Sequence, residues 1–304
     1  MAWTVSGKTV LITGASRGIG FEAAVVLGRL GARLILVGRE RARTGAAVDA
    51  VRSRTGAHAS SYLCDFSSQA SIRELAAAVT RDHAALHVLV NNAGGVHTRR
   101  SVTVDGIETT FATNHLGYFL LTSLLLDVIK ASAPARVVTV ASIAHRSGSI
   151  HFDDLGLERG YGIAKAYNQS KLANVLFAAE LARRLEGTGV TSNSVHPGSV
   201  DTNIWTGIPL WAKPFVTLFL RPWFISAEAG GQTIVQLVAG ADLEGTTGRY
   251  FENRRPVAPS RAAQDPAMAR RLWEMSERLA GGRSPFPQIG GERGRRSATR
   301  KDVG

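Results

Sequence analysis

The sequence predicts a doubly wound α/β fold: a mostly parallel sheet with helices on both faces, in a single domain. Three observations carry this expectation. Short apolar runs alternate along the chain with longer segments of helical periodicity. The first such run ends in a glycine-rich turn that opens a helix. The length, 304 residues, with 44% hydrophobic and 20% charged side chains, suits one large, well-buried core. Strand–helix alternation specifies parallel pairing, because right-handed crossovers lay the helices on both faces of the sheet.

In chain order, the first strand is Lys8–Thr13, and apolar residues at helical spacing mark Ile19–Leu30. Strands at Arg33–Val37, Ser60–Leu63 and Val88–Asn91 then alternate with helices at Arg41–Arg54 and Ser68–Asp82. A long helix is predicted around Gly106–Lys130, a strand at Arg136–Ala141, a helix around Tyr161–Leu185 and a strand at Thr191–Val195. A helix over Ala227–Val238 and a last strand at Gly248–Phe251 complete a domain spanning residues 1–255. Residues 256–280 are expected to form a helical extension, and residues 281–304, rich in Gly, Arg, Ser and Pro, a disordered basic tail. Ser199–Phe224 breaks the alternation. It is apolar and aromatic (Trp205, Trp211, Trp223), yet Pro209, Pro214 and Pro222 forbid one regular helix. With Lys213 and Arg221 also in it, the stretch is too broken for a transmembrane span.

The formal net charge of +12 invites a nucleic-acid reading, so its location matters. Arg293, Arg295, Arg296, Arg300 and Lys301 lie in the tail, while Arg29, Arg33, Arg183 and Arg184 read as solvated faces of amphipathic segments. No aromatic side chains are interleaved with them, and no specific nucleic-acid partner is expected. The single cysteine, Cys64, cannot form an intramolecular disulfide and reads as a small buried apolar group. With no export signal in Met1–Val10, the expected location is a reducing cytoplasm.

Three motifs carry chemistry. The turn Thr13-Gly14-Ala-Ser-Arg17-Gly18-Ile-Gly20 joins strand to helix: Gly14 permits a tight turn, Gly18 and Gly20 let backbone approach a pyrophosphate, and the helix N-terminus supplies amide dipoles. Tyr167 and Lys171, four residues apart, share one helix face. A phenol titrates near ~10 and is a poor base at neutral pH unless a cation favours its anion, which Lys171 is placed to do. Ser142 and Asn91-Asn-Ala-Gly94 follow strands at the sheet edge where ligands bind in such folds. His115, His145 and His196 read as structural or pocket-lining, and no metal is required.

In order and approximate spacing these motifs, with Asn114 and Pro197-Gly198, resemble the short-chain dehydrogenase/reductase family over about residues 5–255. The resemblance implies a Rossmann dinucleotide-binding domain. Asn114-His-Leu-Gly-Tyr-Phe, Phe152-Asp-Asp-Leu155 and Ala166–Phe177 are similar to the retinol dehydrogenase-like branch, which also includes WW-domain oxidoreductases. It implies that Tyr167 exchanges a proton with the substrate oxygen, that Ser142 hydrogen-bonds that oxygen, and that Lys171 lowers the Tyr pKa and binds the nicotinamide ribose. Asn114 would hold a water linking Lys171 to solvent. Beyond Gly14, Arg17, Gly18 and Gly20, the implied cofactor set takes in Ser16, Ile19, Phe66, Asn92, Ala93, Gly94, Pro197, Gly198, Val200 and Thr202. Asp65 would contact adenine, or else cap the next helix. The stretch of about 199–225 would be a mobile lid over a lipophilic carbonyl or alcohol substrate, with a weak peripheral membrane contact as a second role. Homodimer and homotetramer are both left open.

An NAD site commonly carries a carboxylate after the second strand, whereas a 2′-phosphate calls for arginine. Here the strand ends Leu36-Val-Gly38-Arg39, with no acid at Gly38, and Arg17 adds a second cation, so NADP(H) is the expected cofactor. Glu40 is the discordant charge; it reads equally as an acid at the start of the next helix. The expected activity is NADP(H)-dependent interconversion of a carbonyl and an alcohol. The rival is a catalytically silent NADP-binding regulator on the same fold, against which the intact Asn114, Ser142, Tyr167 and Lys171 set argues.

Overall fold

The computed structural model describes residues 2–198 and 226–281. The expected lid, with Val200 and Thr202, and the basic tail beyond residue 281 lie outside them. Among the described residues, eight strands form one sheet in the order β3-β2-β1-β4-β5-β6-β7-β8. These are β1 (Thr9–Thr13), β2 (Arg33–Gly38), β3 (Ala59–Leu63), β4 (Val88–Asn91), β5 (Ala135–Val140), β6 (Val190–His196), β7 (Tyr250–Glu252) and β8 (Arg255–Val257). All neighbours pair in parallel except β7 and β8. The helices are α1 (Gly18–Arg29), α2 (Arg41–Thr55), α3 (Gln69–Asp82), α4 (Thr109–Ala131), α5 (Ile163–Arg184), α6 (Ala227–Ala239) and α7 (Pro266–Leu279). This is the doubly wound single domain expected, with the ends of most predicted elements shifted by no more than two residues.

The period of the strands sorts the core. On β1, Val10 and Ile12 point to the face covered by α1, α2 and α6, while Leu11 points to the face covered by α3, α4 and α5; Leu34 and Leu36 separate from Ile35 and Val37 in the same way on β2. Strands buried on both faces must be apolar throughout, and β1 is buried at all five positions. Helix α4 has a mean hydropathy of 1.2, high enough in length and composition to cross a membrane, but 83% of that window is buried in the core. Its apolarity is explained by packing between the sheet and α3.

Four local expectations are corrected. The predicted long helix starts at Thr109, not Gly106, because Gly106 has φ +78° in a turn closed by its N–H to the Thr103 carbonyl, and the Glu108 carboxylate takes the first free N–H groups of Thr110 and Phe111 at 2.8 Å. Ser68, not Asp65, caps α3, accepting from the Ser71 N–H; Asp65 instead closes a local turn onto the N–H and hydroxyl of Ser67 at 2.9 and 2.7 Å. Residues 255–257, outside any predicted strand, return as β8 through a turn with Asn253 and Arg254 both at positive φ. Arg184 is not on a solvated face: its guanidinium lies 4.4 Å over the Trp273 ring and bonds the fully buried Glu180 carboxylate at 2.9 Å.

Helix α7 belongs to the main core. Trp273 stacks on Phe177 of α5 (centroids 5.8 Å apart) and meets Phe119 of α4 edge-on at 4.9 Å. The Ser276 hydroxyl reaches buried His115 at 3.0 Å; burial pulls this imidazole down to about 4, and it is a structural residue.

Candidate active site

The order 3-2-1-4 makes β1 and β4 the point at which the winding reverses, and crevices at the carboxyl ends of strands open there. A cleft of about 780 Å³ runs across this edge. Among the described residues it is lined by most of the predicted set: Gly14, Ser16, Arg17, Gly18, Ile19, Arg39, Asp65, Phe66, Asn92, Ala93, Gly94, Ser142, Tyr167, Lys171, Pro197 and Gly198. Gly20 and Asn114 lie behind its wall.

One end has the geometry of an anion cradle. Helix α1 begins after Arg17 with no side-chain cap and no acid in its first turn, so its free N–H groups face the cleft. The glycines are required by contact: a Cβ on Gly14 (φ +66°) would stand 2.7 Å from the Ala93 Cα, and one on Gly20 would stand 2.5 Å from Asn92 Nδ2 and 2.9 Å from the Gly14 carbonyl. Thr13 locks this floor. Its hydroxyl accepts from the N–H groups of Asn92 (2.8 Å) and Ala93 (2.9 Å), while Asn92 Nδ2 donates to the Thr13 carbonyl at 2.8 Å.

At the outer rim Arg17 and Arg39 are exposed, and a third cation, Arg43 on the first turn of α2, joins them in lining the cleft. Glu40, the first residue before α2, makes no capping hydrogen bond; its carboxylate pairs with Arg43 at 2.7 Å. Gly38 is packed against the Thr44 hydroxyl, so a side chain there would displace α2. His97 also lines the cleft; neither it nor Arg43 is signalled by the sequence motifs, since both arrive from spacing set by the fold.

At the other end Ser142 follows β5 and Tyr167 stands on the second turn of α5. Lys171, one turn further, is 5% exposed; its ammonium lies 5.5 Å over the Tyr167 ring and donates to the Val140 carbonyl at 3.3 Å. Burial lowers Lys171 to about 8. Burial raises Tyr167 above its ordinary value, and a hydrogen bond with Ser142 pulls it partly back. The chain's own atoms thus hold the phenol protonated at neutral pH. Asn114, fully buried, sits in a π-helical turn of α4 over Ala112–Leu116. Its amide exchanges two 2.9 Å bonds with the Gly95 backbone and donates to Ser170 at 3.1 Å, while Ser170 donates to the Tyr167 carbonyl at 2.8 Å. Asn114 therefore ties the loop after β4 to the helix carrying Tyr167.

Two exposed apolar side chains flank this end: Ile143 (38% exposed) directly follows Ser142, and Ile163 (44%) lies one helical turn before Tyr167. Cys64 is buried at the cleft wall, and burial pushes its thiol up to about 12. Among the described residues there is no group of three or more His, Cys, Asp or Glu side chains arranged to hold a metal ion.

The family model for short chain dehydrogenases matches residues 8–213. Human retinol dehydrogenase 13 is 42% identical over 288 residues, covering 93% of this chain and 87% of that protein. Mouse retinol dehydrogenase 14 is also 42% identical, covering 90% and 86%. Among solved structures, an uncharacterized protein from Mycobacterium paratuberculosis superposes with a TM-score of 0.75 at 32% identity, covering 95% of this chain and all of that one. The Pseudomonas aeruginosa RhlG/NADP active-site complex superposes with a TM-score of 0.67 at 25% identity, covering 88% and 98%.

Proposed function

We propose, from the premise that this chain belongs to the short-chain dehydrogenase family and is an oxidoreductase of CH–OH groups, that it uses NADP(H) to interconvert a lipophilic aldehyde or ketone and its alcohol. The observation that carries this reading is the pairing, in one cleft, of a protonated Tyr167 beside Ser142 and buried Lys171 with an arginine rim at the far end. The residues fit a dinucleotide: glycine backbone that no Cβ could replace, an uncapped helix N-terminus, and cations at the end where a 2′-phosphate would lie. RhlG of Pseudomonas aeruginosa, which shares this fold, is known as an active-site complex with NADP.

When bound, the reduced nicotinamide supplies the hydride to the carbonyl carbon. As negative charge grows on the substrate oxygen, the Ser142 hydroxyl donates a hydrogen bond to it, and Tyr167 passes its phenolic proton to it. The phenolate left on Tyr167 is favoured by the ammonium of Lys171, which also has free donors for the ribose hydroxyls. Oxidation reverses these transfers. A phenol held protonated by the chain itself suits reduction at neutral pH. The Asn114 amide is committed to Gly95 and Ser170, so a water joining Lys171 to solvent would use its backbone.

The lipophilic assignment is supported by Ile143 and Ile163 beside the catalytic pair and by relatives named for retinol. The single cysteine, a buried free thiol, supports a reducing cytoplasm as the location. A panel of aldehydes, ketones and alcohols followed by NADPH absorbance tests the activity. Consumption of NADPH with apolar carbonyls is expected; tight NADPH binding with no turnover on any of them would instead favour a silent regulator.

A further inference from the structure

Ser142 is held by more than its own strand. It caps a single helical turn, Ile143–Ser147, with its hydroxyl accepting from the Ala144 N–H at 3.2 Å. Its carbonyl receives the backbone N–H of His145 at 3.1 Å and lies 2.7 Å from the Nδ1 of the same residue. The His145 ring is fully buried against Tyr250, with centroids 4.6 Å apart, and its Nε2 is 3.1 Å from the backbone N–H of Ser260. A backbone N–H can only donate. Nε2 must therefore be the acceptor, and Nδ1 carries the proton that is given to the Ser142 carbonyl. Burial, the largest influence on this imidazole, disfavours its charged form, as does neighbouring Arg146; the Ser142 hydrogen bond and Glu252 act the other way. The neutral ring is the one form that satisfies both partners.

We propose that His145 is a positioning residue: it fixes the catalytic serine turn at the distance Tyr167 requires by bolting the Ser142 carbonyl to the segment between β8 and α7. The inference rests on the reading of Ser142 as the hydroxyl that holds the substrate oxygen. His145 does not line the cleft, so it acts through Ser142 and leaves the dinucleotide cradle untouched. An imidazole suits the place because no other side chain spans a donor and an acceptor across a rigid ring packed on Tyr250.

The test uses the full chain with NADPH and an apolar aldehyde, and compares four variants. Ser142→Ala should abolish turnover. His145→Phe keeps the ring and loses both hydrogen bonds; a drop in kcat of roughly tenfold to a hundredfold is expected for a misplaced reacting group, with NADPH Kd unchanged. His145→Asn keeps a donor toward Ser142, and His145→Gln keeps an acceptor for Ser260, so Asn should recover more of kcat than Gln. That split separates positioning from stability, because melting temperature should fall alike in both. If Ser142→Ala abolishes turnover while His145→Phe retains wild-type kcat, or if Asn and Gln are equally impaired, the inference is overturned. Should the Phe variant not fold, the Asn and Gln comparison decides. If Ser142→Ala itself keeps turnover, the reading of the active site fails first.

Discussion

Replacing both Arg17 and Arg39 with alanine should remove most of the preference for NADPH over NADH. Both guanidinium groups stand exposed at the rim, where a charge-assisted contact to a phosphate belongs at the low end of its range, about 1.5 kcal/mol. Two such contacts sum to roughly 3 kcal/mol, which is on the order of a hundredfold in Kd. Arg43 remains beside the site but is partly neutralised by Glu40 at 2.7 Å, so the loss should fall between about tenfold and a hundredfold rather than be complete. NADH affinity should hardly change, since NADH lacks the 2′-phosphate. Raising salt should erode the wild-type preference in the same direction, because exposed charges are screened over about 10 Å at 0.1 M. Fluorescence titration of the wild type and the double variant with each cofactor measures the ratio. Equal wild-type affinities, or a ratio that the double change leaves untouched, would refute the assignment of the rim to a phosphate.

Gly20→Ala should weaken binding of both cofactors alike by at least about tenfold, since the new Cβ drives Asn92 Nδ2 off the Thr13 carbonyl and distorts the cradle; a change confined to NADPH would contradict this. Carbonyl reduction should decline as pH rises through about 8, because Lys171, depressed by burial, loses its charge there, and a kcat/KM profile flat up to about pH 10 would refute the role of its ammonium. Trp273→Ala should cost about 3–5 kcal/mol in urea unfolding with an unchanged slope; a loss below about 1 kcal/mol would mean that α7 is not part of the core. Glu40→Gln should raise NADPH affinity a few-fold by removing a like charge and freeing Arg43, and a fall would show that Glu40 organises the rim instead.

What could be read from the sequence depended on how local its cause was. The glycine turn and the Tyr167–Lys171 pair are set by spacing within one turn or one helix, and alternating apolar strands report a sheet buried on both faces. The π-helical turn at Asn114 left no trace, because the apolar periodicity of 109–131 runs through it. Strand β8 was hidden because its turn, Asn253-Arg254, lacks the glycine that marks such hairpins, and because exposed Arg255-Pro256-Val257 carries an edge-strand proline and no apolar alternation. The bond from His145 to Ser260 crosses 115 residues and could not be inferred from either neighbourhood. Arg184 misled for a related reason: on a helical wheel it belongs to the polar face, until Trp273 arrives from α7 to cover it.

On the proposed mechanism, Tyr167 transfers the proton while the cradle binds the dinucleotide independently. Steady-state NADPH oxidation with the best apolar carbonyl, measured for wild type and Tyr167→Phe beside NADPH titrations of each, tests it most directly. Turnover should fall by about 10²–10⁴-fold with NADPH Kd essentially unchanged, as expected for loss of one acid/base group. A Tyr167→Phe enzyme that keeps more than about a hundredth of wild-type turnover would contradict the account.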